Sequence, residues 1–509
     1  MKRGGAFVLA LALCLALAGC WEENAEQLDF WEMEPEETAA PEPETQLTEL
    51  TLPYLNSQTL DPVACADGAQ QVVGSLLYEG LFTLDETFSP QPALCASYSV
   101  GGNGLVYTFA LRDDVTFSDG APFTASDVLA TYRRAQVSER YAARFANIAS
   151  MRVNRGALVI TLLQADNALP ALLDIPIVRS GTEKDAVPLG TGPYLFLTGS
   201  DGSFLVRNEN WWCEGEGLPE RIPLAGAKDA DTAAYLFSAK KAHLLIADLL
   251  GDTSVASLGG VERADAPTTS MYFLGFNTKR VALADAKLRA AMRTAFDREA
   301  IIASLLAGHA QAAQFPISPV SPLYPTALEE PYTVGAYEAA LTPAGEDAPA
   351  SESAPLELTL LVNAENSFKA ALAEYLARQL TAAHVTVTAV ILPWADYLTA
   401  LQDGNFDLWL GEVRLTADWN ISNLVGTGGA LNYGKFSDAA VEKALAAFLA
   451  NENSATAAEL CRELAEKAPI LPIVFKSVSV LTPEGLIDGV APTMTRPLRN
   501  LEQWTFHFS

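Results

Sequence analysis

Imidazole serves more active sites than any other side chain, yet 509 residues offer only His243, His309, His384 and His507. No two stand four residues apart as a helical zinc site requires, and no Gly-x-Ser-x-Gly nucleophile elbow occurs. Each histidine therefore reads as a surface or satisfied core residue. Gly429-Ala430-Leu431-Asn432-Tyr433-Gly434-Lys435-Phe436 has the glycine and lysine spacing of a phosphate-binding P-loop. Phe436 stands where the magnesium-ligating Ser or Thr belongs, so we reject that reading. Among 62 acidic residues, pairs suited to glycosidase acid and base arise by chance. An exported hydrolase survives only as an alternative. Cys65, Cys95, Cys213 and Cys461 have no metal-site spacing; they could form up to two disulfides outside the cytosol or remain buried thiols. No catalytic residue, metal or cofactor is expected.

The other chemistry in the sequence is at its start. Lys2 and Arg3 precede an apolar run from Ala6 to Leu17, shorter than the roughly 20 residues of a membrane span. Residues 1–19 read as an export signal. Leu17-Ala18-Gly19-Cys20 looks like a bacterial lipobox, which makes Cys20 the expected lipid attachment site, against an ordinary signal peptide with a coincidental cysteine. Cleavage there removes two of 33 basic residues and leaves every acidic one, in a chain already at net −29. Such a surface repels nucleic acid and anionic headgroups. Residues 20–47 are rich in acid and proline and cannot bury enough apolar area to order themselves, so we read an acidic disordered tether.

From there on, strand-like and helix-like segments alternate. Tyr107, Phe109 and Leu111 share one face of a strand over Leu105–Arg112. Thr124 and Asp127 approximate a capping box that opens a helix running to about Arg134. Phe368, Leu372, Leu376 and Leu380 mark an amphipathic helix, followed by a strand at Val385–Leu392, a helix from about Trp394 and a strand at 406–413. The alternation predicts α/β layers with largely parallel sheets. Residues 343–355 read as a surface loop.

Several segments in fixed order resemble the solute-binding proteins of the peptide and nickel ABC importer family. They include Leu77-Tyr78-Glu79-Gly80-Leu81-Phe82, Phe117-Ser118-Asp119-Gly120, Gly190-Thr191-Gly192-Pro193-Tyr194 and Trp211-Trp212. Gly275-Phe276-Asn277-Thr278-Lys279, Asp297-Arg298-Glu299 and Asn432-Tyr433-Gly434 continue the order. The resemblance implies an α/β, two-lobed periplasmic-binding-protein-like fold of type II with an extra subdomain in the first lobe. Lobe one would comprise 48–270 plus 476–509, with the subdomain near 82–186, and lobe two 271–475.

The resemblance also implies a function and a site. Short peptides would lie extended between the lobes, and an ABC permease and ATPase would receive them. The protein would be a monomer held at the outer face of the cell membrane, or in a periplasm, through Cys20. Receptors of this fold for nickel chelates, oligosaccharides or opines, and a peptide-sensing lipoprotein, are the alternatives. The family's anchoring aspartate falls on Asp418, within Leu415-Thr416-Ala417-Asp418-Trp419-Asn420; Asn420 is the alternative register, and a turn or cap the structural one. Trp419, Asn363 and Trp394 are further expected ligand contacts, and Cys65, Ala66, Asp67 and Gly68 form the edge where a peptide would pair. Arg414 is placed either to meet a ligand carboxylate or to form an exposed salt bridge.

Overall fold

The computed structural model describes residues 48–251, 255, 258–342 and 355–508. The export signal, Cys20, the tether and most of the 343–355 loop lie outside the described residues. Among those described, no helix is long and apolar enough to cross a membrane.

A four-stranded sheet opens the body. Leu52–Leu55 runs parallel to Arg221–Ala227, which pairs antiparallel with Gly202–Arg207 and that with Tyr194–Gly199. Helix Gly68–Leu77 packs on it, started by Asp67, whose carboxylate accepts from Ala69 N and Gln70 N. Leu52, Val73, Leu76 and Leu205 share a core with Leu498, Leu501 and Trp504, so the last described segment packs against the first.

Between those strands is an antiparallel sheet of Cys95–Gly101, Val106–Leu111, Ala157–Leu162 and Ile148–Asn154, covered by helix Ala125–Ala135. Tyr107 and Phe109 are buried as their alternation requires, while Leu111 is half-buried. At the helix start the Asp127 carboxylate takes both the backbone N–H and the hydroxyl of Thr124, at 3.1 and 2.6 Å. Those contacts satisfy otherwise orphaned donors at a helix terminus.

A seven-stranded mixed sheet supports the rest. Leu356–Asn363 lies parallel to Val385–Leu392 and Leu408–Arg414, with helices Ser367–Leu380 and Trp394–Asp403 as crossovers. Every fourth-residue leucine of Ser367–Leu380 is buried, which is why that periodicity folds as a helix. Two long strands, Val261–Phe276 and Ile470–Pro483, pair antiparallel along most of their length, and their register breaks between Pro267 and Met271.

The expectation of largely parallel sheets is corrected. Among the described strands only three pairings are parallel, and the others are antiparallel. Alternation along the chain says which segments are strands; it does not say which partner each finds. Short hairpins such as Gly199 to Gly202 force antiparallel neighbours, whereas a parallel pair needs a crossover.

Family-like motifs hold this scaffold together. Glu79 is half-buried, and its carboxylate accepts from Trp211 Nε1 at 3.2 Å, Trp212 Nε1 at 2.9 Å and Thr191 Oγ1 at 2.9 Å. A side chain at Gly190 would place its Cβ 2.0 Å from the Leu77 carbonyl oxygen, so only glycine fits between them. The Gly429–Phe436 segment is a turn docked on the sheet, whose Gly434 carbonyl accepts from Thr278 N and Oγ1 at 3.0 and 2.8 Å.

Candidate functional site

A cavity of about 560 Å³ lies where these parts meet. It is lined by Cys65, Gln71, Arg140, Tyr141 and Arg144 and by Arg414 to Ala417, the end of the strand Leu408–Arg414 and the residues that follow it; Arg496, Glu79, Glu139, Asp174 and Glu502 are further charged lining residues. Arg144 is ion-paired to the buried carboxylate of Asp174. Arg140 donates to Cys65 O at 2.6 Å and to Gln71 Oε1 at 2.9 Å, both neutral acceptors. Arg414 is exposed and has no hydrogen-bond or ion-pair partner among the described residues; desolvation by its surroundings, and then the fields of Arg140 and Arg144, push its pKa below the usual guanidinium range.

The anticipated site residues occupy three places. Of the Cys65–Gly68 edge, Cys65 lines the cavity, with its thiol pushed up by burial. The exposed Ala66 gives its carbonyl to Gln71 Nε2, Asp67 caps the helix, and a Cβ at Gly68 would press on Ile246 at 3.1 Å. Asn363 and Trp394 share a different locus, joined through Glu365. Its carboxylate accepts from Asn363 Nδ2 at 2.9 Å and from Trp394 N at 2.6 Å, while the Trp394 ring is half in solvent. Neither residue lines the cavity.

Asp418 to Asn420 form a turn just behind the cavity wall. The Asp418 carboxylate is buried and accepts from the Thr416 hydroxyl and from Asn420 N. No cation stands within ion-pair distance of it among the described residues, and burial raises its pKa. Trp419 is buried with φ +52°, a left-handed conformation costly for a bulky residue. It is held by edge-on contacts to Phe88 and Phe475 at 5.4 and 6.0 Å between ring centres. Asn420 is exposed and caps Ser422 N.

Behind this turn are two more carboxyls. Burial and the Asp418 charge push Asp166 up to about 6, and burial with both neighbours pushes Glu452 up to about 9. Sequence reasoning missed this group and also Arg140 and Arg144, whereas Arg414 it had placed to meet a ligand carboxylate or form an exposed salt bridge. The signal for that pair was Arg140-Tyr141-Ala142-Ala143-Arg144, two cations four residues apart in a chain poor in basic residues. The four cysteines are free thiols, and Cys65, Cys95 and Cys461 are buried.

Sheets gathered around an enclosed cleft define a two-lobed solute-binding protein. Residues 89–429 match the family model of bacterial extracellular solute-binding proteins, family 5 (middle), and the chain belongs to that family. It is similar to the glutathione-binding protein GsiB of Salmonella typhi, 28% identical over 280 residues, which cover 52% of this chain and 55% of that one. The chain thus spans about half the length of the curated relatives it matches. Among solved structures, the periplasmic murein tripeptide-binding protein MppA in its unliganded open form superimposes with a TM-score of 0.71 at 20% identity, covering 91% of this chain and 98% of that one. A nickel ABC transporter structure from Bacillus halodurans gives 0.69 at 21% identity, covering 88% and 98%. These likenesses establish the fold.

Proposed function

We propose that this chain is an exported, lipid-anchored substrate-binding protein of an ABC importer, which encloses short peptides between two lobes and presents them to a membrane permease without catalysing a reaction. The observation that carries the reading is the 560 Å³ cavity walled by both parts of a family-5 fold. That volume lies within the roughly 300–1,000 Å³ of small-ligand sites. Peptide receptors among its relatives support the ligand class.

The lobes divide near residues 270 and 476 in this proposal. The register break at Pro267–Met271, opposite Ser477 and Phe475, supports a hinge there, because an interrupted ladder bends more easily than a continuous one. Asp418 is the proposed anchor for a peptide α-ammonium. A buried carboxylate without a cation is costly, and an ammonium entering through Thr416 and Ala417 would relieve that cost. The Cys65–Gly68 edge would pair with the peptide main chain.

Native mass spectrometry of the chain purified from cells in rich medium tests the reading. A ladder of co-purified peptide masses, lost in Asp418→Ala and kept in Asn420→Ala, is the expected result. A single non-peptide mass would leave the family intact and overturn the ligand.

A further inference from the structure

The break in the long ladder leaves a single residue on its regular side. Pro267 faces Ser477 and Met271 faces Phe475, so Thr268, Thr269 and Ser270 stand opposite Lys476 alone. The Thr268 hydroxyl donates to Lys476 O at 2.7 Å and accepts from Ser270 N at 3.0 Å, which fastens the bulge without a regular ladder. The Lys476 side chain is 5% exposed, and its ammonium is shared by two carboxylates. One belongs to Asp248, just after the strand Leu245–Ala247; the other is Glu412 in Leu408–Arg414, at 2.9 Å. On the proposed division Asp248 lies in lobe one and Glu412 in lobe two, so this ammonium spans the joint.

A second lysine stands near Glu412 with nothing to hold. Lys369, in the first turn of helix Ser367–Leu380, is 5% exposed, and its ammonium has no hydrogen-bond or ion-pair partner among the described residues. Glu365 does not serve it, because that carboxylate is taken by Asn363 and Trp394. Burial pushes the Lys369 pKa down, and Glu412 supplies the largest opposing field. A buried ammonium without a partner is costly. Glu412 therefore has two cations to choose from, one across the joint and one in its own lobe. Bending at the bulge that draws Lys476 away leaves Lys476 with Asp248 and turns Glu412 towards Lys369.

We propose that Lys476 is a positioning residue of the hinge and that Glu412 changes partners with the lobe angle, paired to Lys476 in the form described and to Lys369 when the lobes swing apart. The inference rests on the two-lobe reading and deepens it by naming the groups that set how readily the cleft opens. An ion pair lost on opening is replaced by one gained, which narrows the energy gap between the two forms and lets a modest ligand contact shift the population.

The amide of Leu415 reports the joint, because its N–H is held at 3.0 Å by the carbonyl of Thr269 inside the bulge. Hydrogen–deuterium exchange of the full chain in detergent, read by mass spectrometry of overlapping fragments, measures how often that bond opens. The strand Ala157–Leu162, in a different sheet, is the reference for global unfolding. We expect Lys476→Met to speed deuterium uptake at Leu415 at least about fivefold and Lys369→Met to slow it by a similar factor, with the reference unchanged. Lys476→Arg keeps the cation and should stay near the parent's rate; uptake as fast as in Lys476→Met would overturn the role of charge. Opposite effects of two lysine removals are a result that loosened packing does not produce. Parent rates in both lysine variants, or faster uptake in both, overturn the partner swap. If Lys476→Met speeds the reference too, Glu412→Gln decides: in that background Lys369→Met must leave the Leu415 rate unchanged, and slowing there overturns the proposal. Peptides from trypsin-digested casein, added to the parent, separate the two readings. Slowing by the peptides with no effect of the lysines leaves the peptide receptor standing and overturns the swap. Opposite lysine effects without any response to the peptides support the swap and count against the peptide. No response to either counts against both.

Discussion

Asn167 and Glu452 clasp each other by exchanging two hydrogen bonds across 285 residues of chain. Asn167 Nδ2 donates to Glu452 O at 3.2 Å, and Glu452 N donates to Asn167 Oδ1 at 2.6 Å. Asn167 precedes the turn Leu169–Leu172, and Glu452 precedes helix Ser454–Lys467, so the pair joins two parts that no sheet connects. Asn167→Ala removes both bonds, worth about 1–2 kcal/mol together in a partly solvated place. The expected outcome is a larger radius of gyration by solution scattering without ligand, and an unchanged one at saturation. An unliganded radius equal to the parent's would make the clasp incidental.

The same contact buries carboxyls that prefer to be protonated. Asp166, pushed up to about 6, and Glu452, pushed up to about 9, keep protons that the unfolded chain releases near pH 4. The folded state therefore binds more protons over that window, and stability falls as pH rises through it. His243 works in the opposite direction. Burial lowers its pKa to about 4, and its ring nitrogen accepts from Thr51 N, so the unfolded chain takes up a proton below about 6.5 that the folded one refuses. Between about pH 4.5 and 6.5 the two carboxyls outweigh the one imidazole, so melting temperature should fall continuously from about pH 5 to pH 9, the His243 offset disappearing above about 6.5. Glu452→Gln should flatten the alkaline limb and raise the melting temperature at pH 8; an unchanged limb would mean that Glu452 is ionised and solvated in the fold.

Phe88 joins the hairpin Phe82–Leu84/Pro90–Pro92 to the core that contains Trp419, Phe475 and Phe315. It is buried, so Phe88→Ala leaves a void beside the strained Trp419 backbone. A loss of about 3–5 kcal/mol in denaturant unfolding is expected for such a truncation. A loss below about 1 kcal/mol would show that the core closes over the gap and that Trp419 does not depend on this ring.

Much of this could be read in the sequence, for local reasons. Helix Ser367–Leu380 and strand Val385–Leu392 follow from side-chain period, and the Thr124–Asp127 cap from spacing three. The motifs were visible too, but not that they meet: Glu79 and Trp211-Trp212 lie 132 residues apart and form one hydrogen-bonded knot. Strand direction was misread because pairing is a property of distant partners. Arg140 and Arg144 were missed for another reason. An arginine facing solvent and one facing a cleft look alike in sequence, and only the convergence of Arg140, Arg144 and Arg414 separates them. At Asp418 the resemblance proposed a ligand anchor, and spacing alone did not show that Thr416 and Asn420 also donate to its carboxylate.

The Gly429–Phe436 segment allows a test in which mimicry and architecture predict opposite results. A phosphate-binding loop depends on its lysine, and its glycines serve the ligand. Here Lys435 is exposed, whereas a Cβ on Gly434 would fall 1.9 Å from the Phe276 carbonyl oxygen. The neighbouring Asn432 amide fastens the turn from inside, donating to Gly426 O and Phe436 O at 2.9 and 2.8 Å. Gly434→Ala must push the turn off the sheet and break the Thr278 contacts, so its soluble yield or unfolding free energy should fall by several kcal/mol, at the upper end for a single substitution. Lys435→Gln should change stability by less than about 0.5 kcal/mol and leave ligand binding as it was. Nucleotide binding that disappears in Lys435→Gln would reinstate the phosphate loop and overturn the reading of this turn as scaffold.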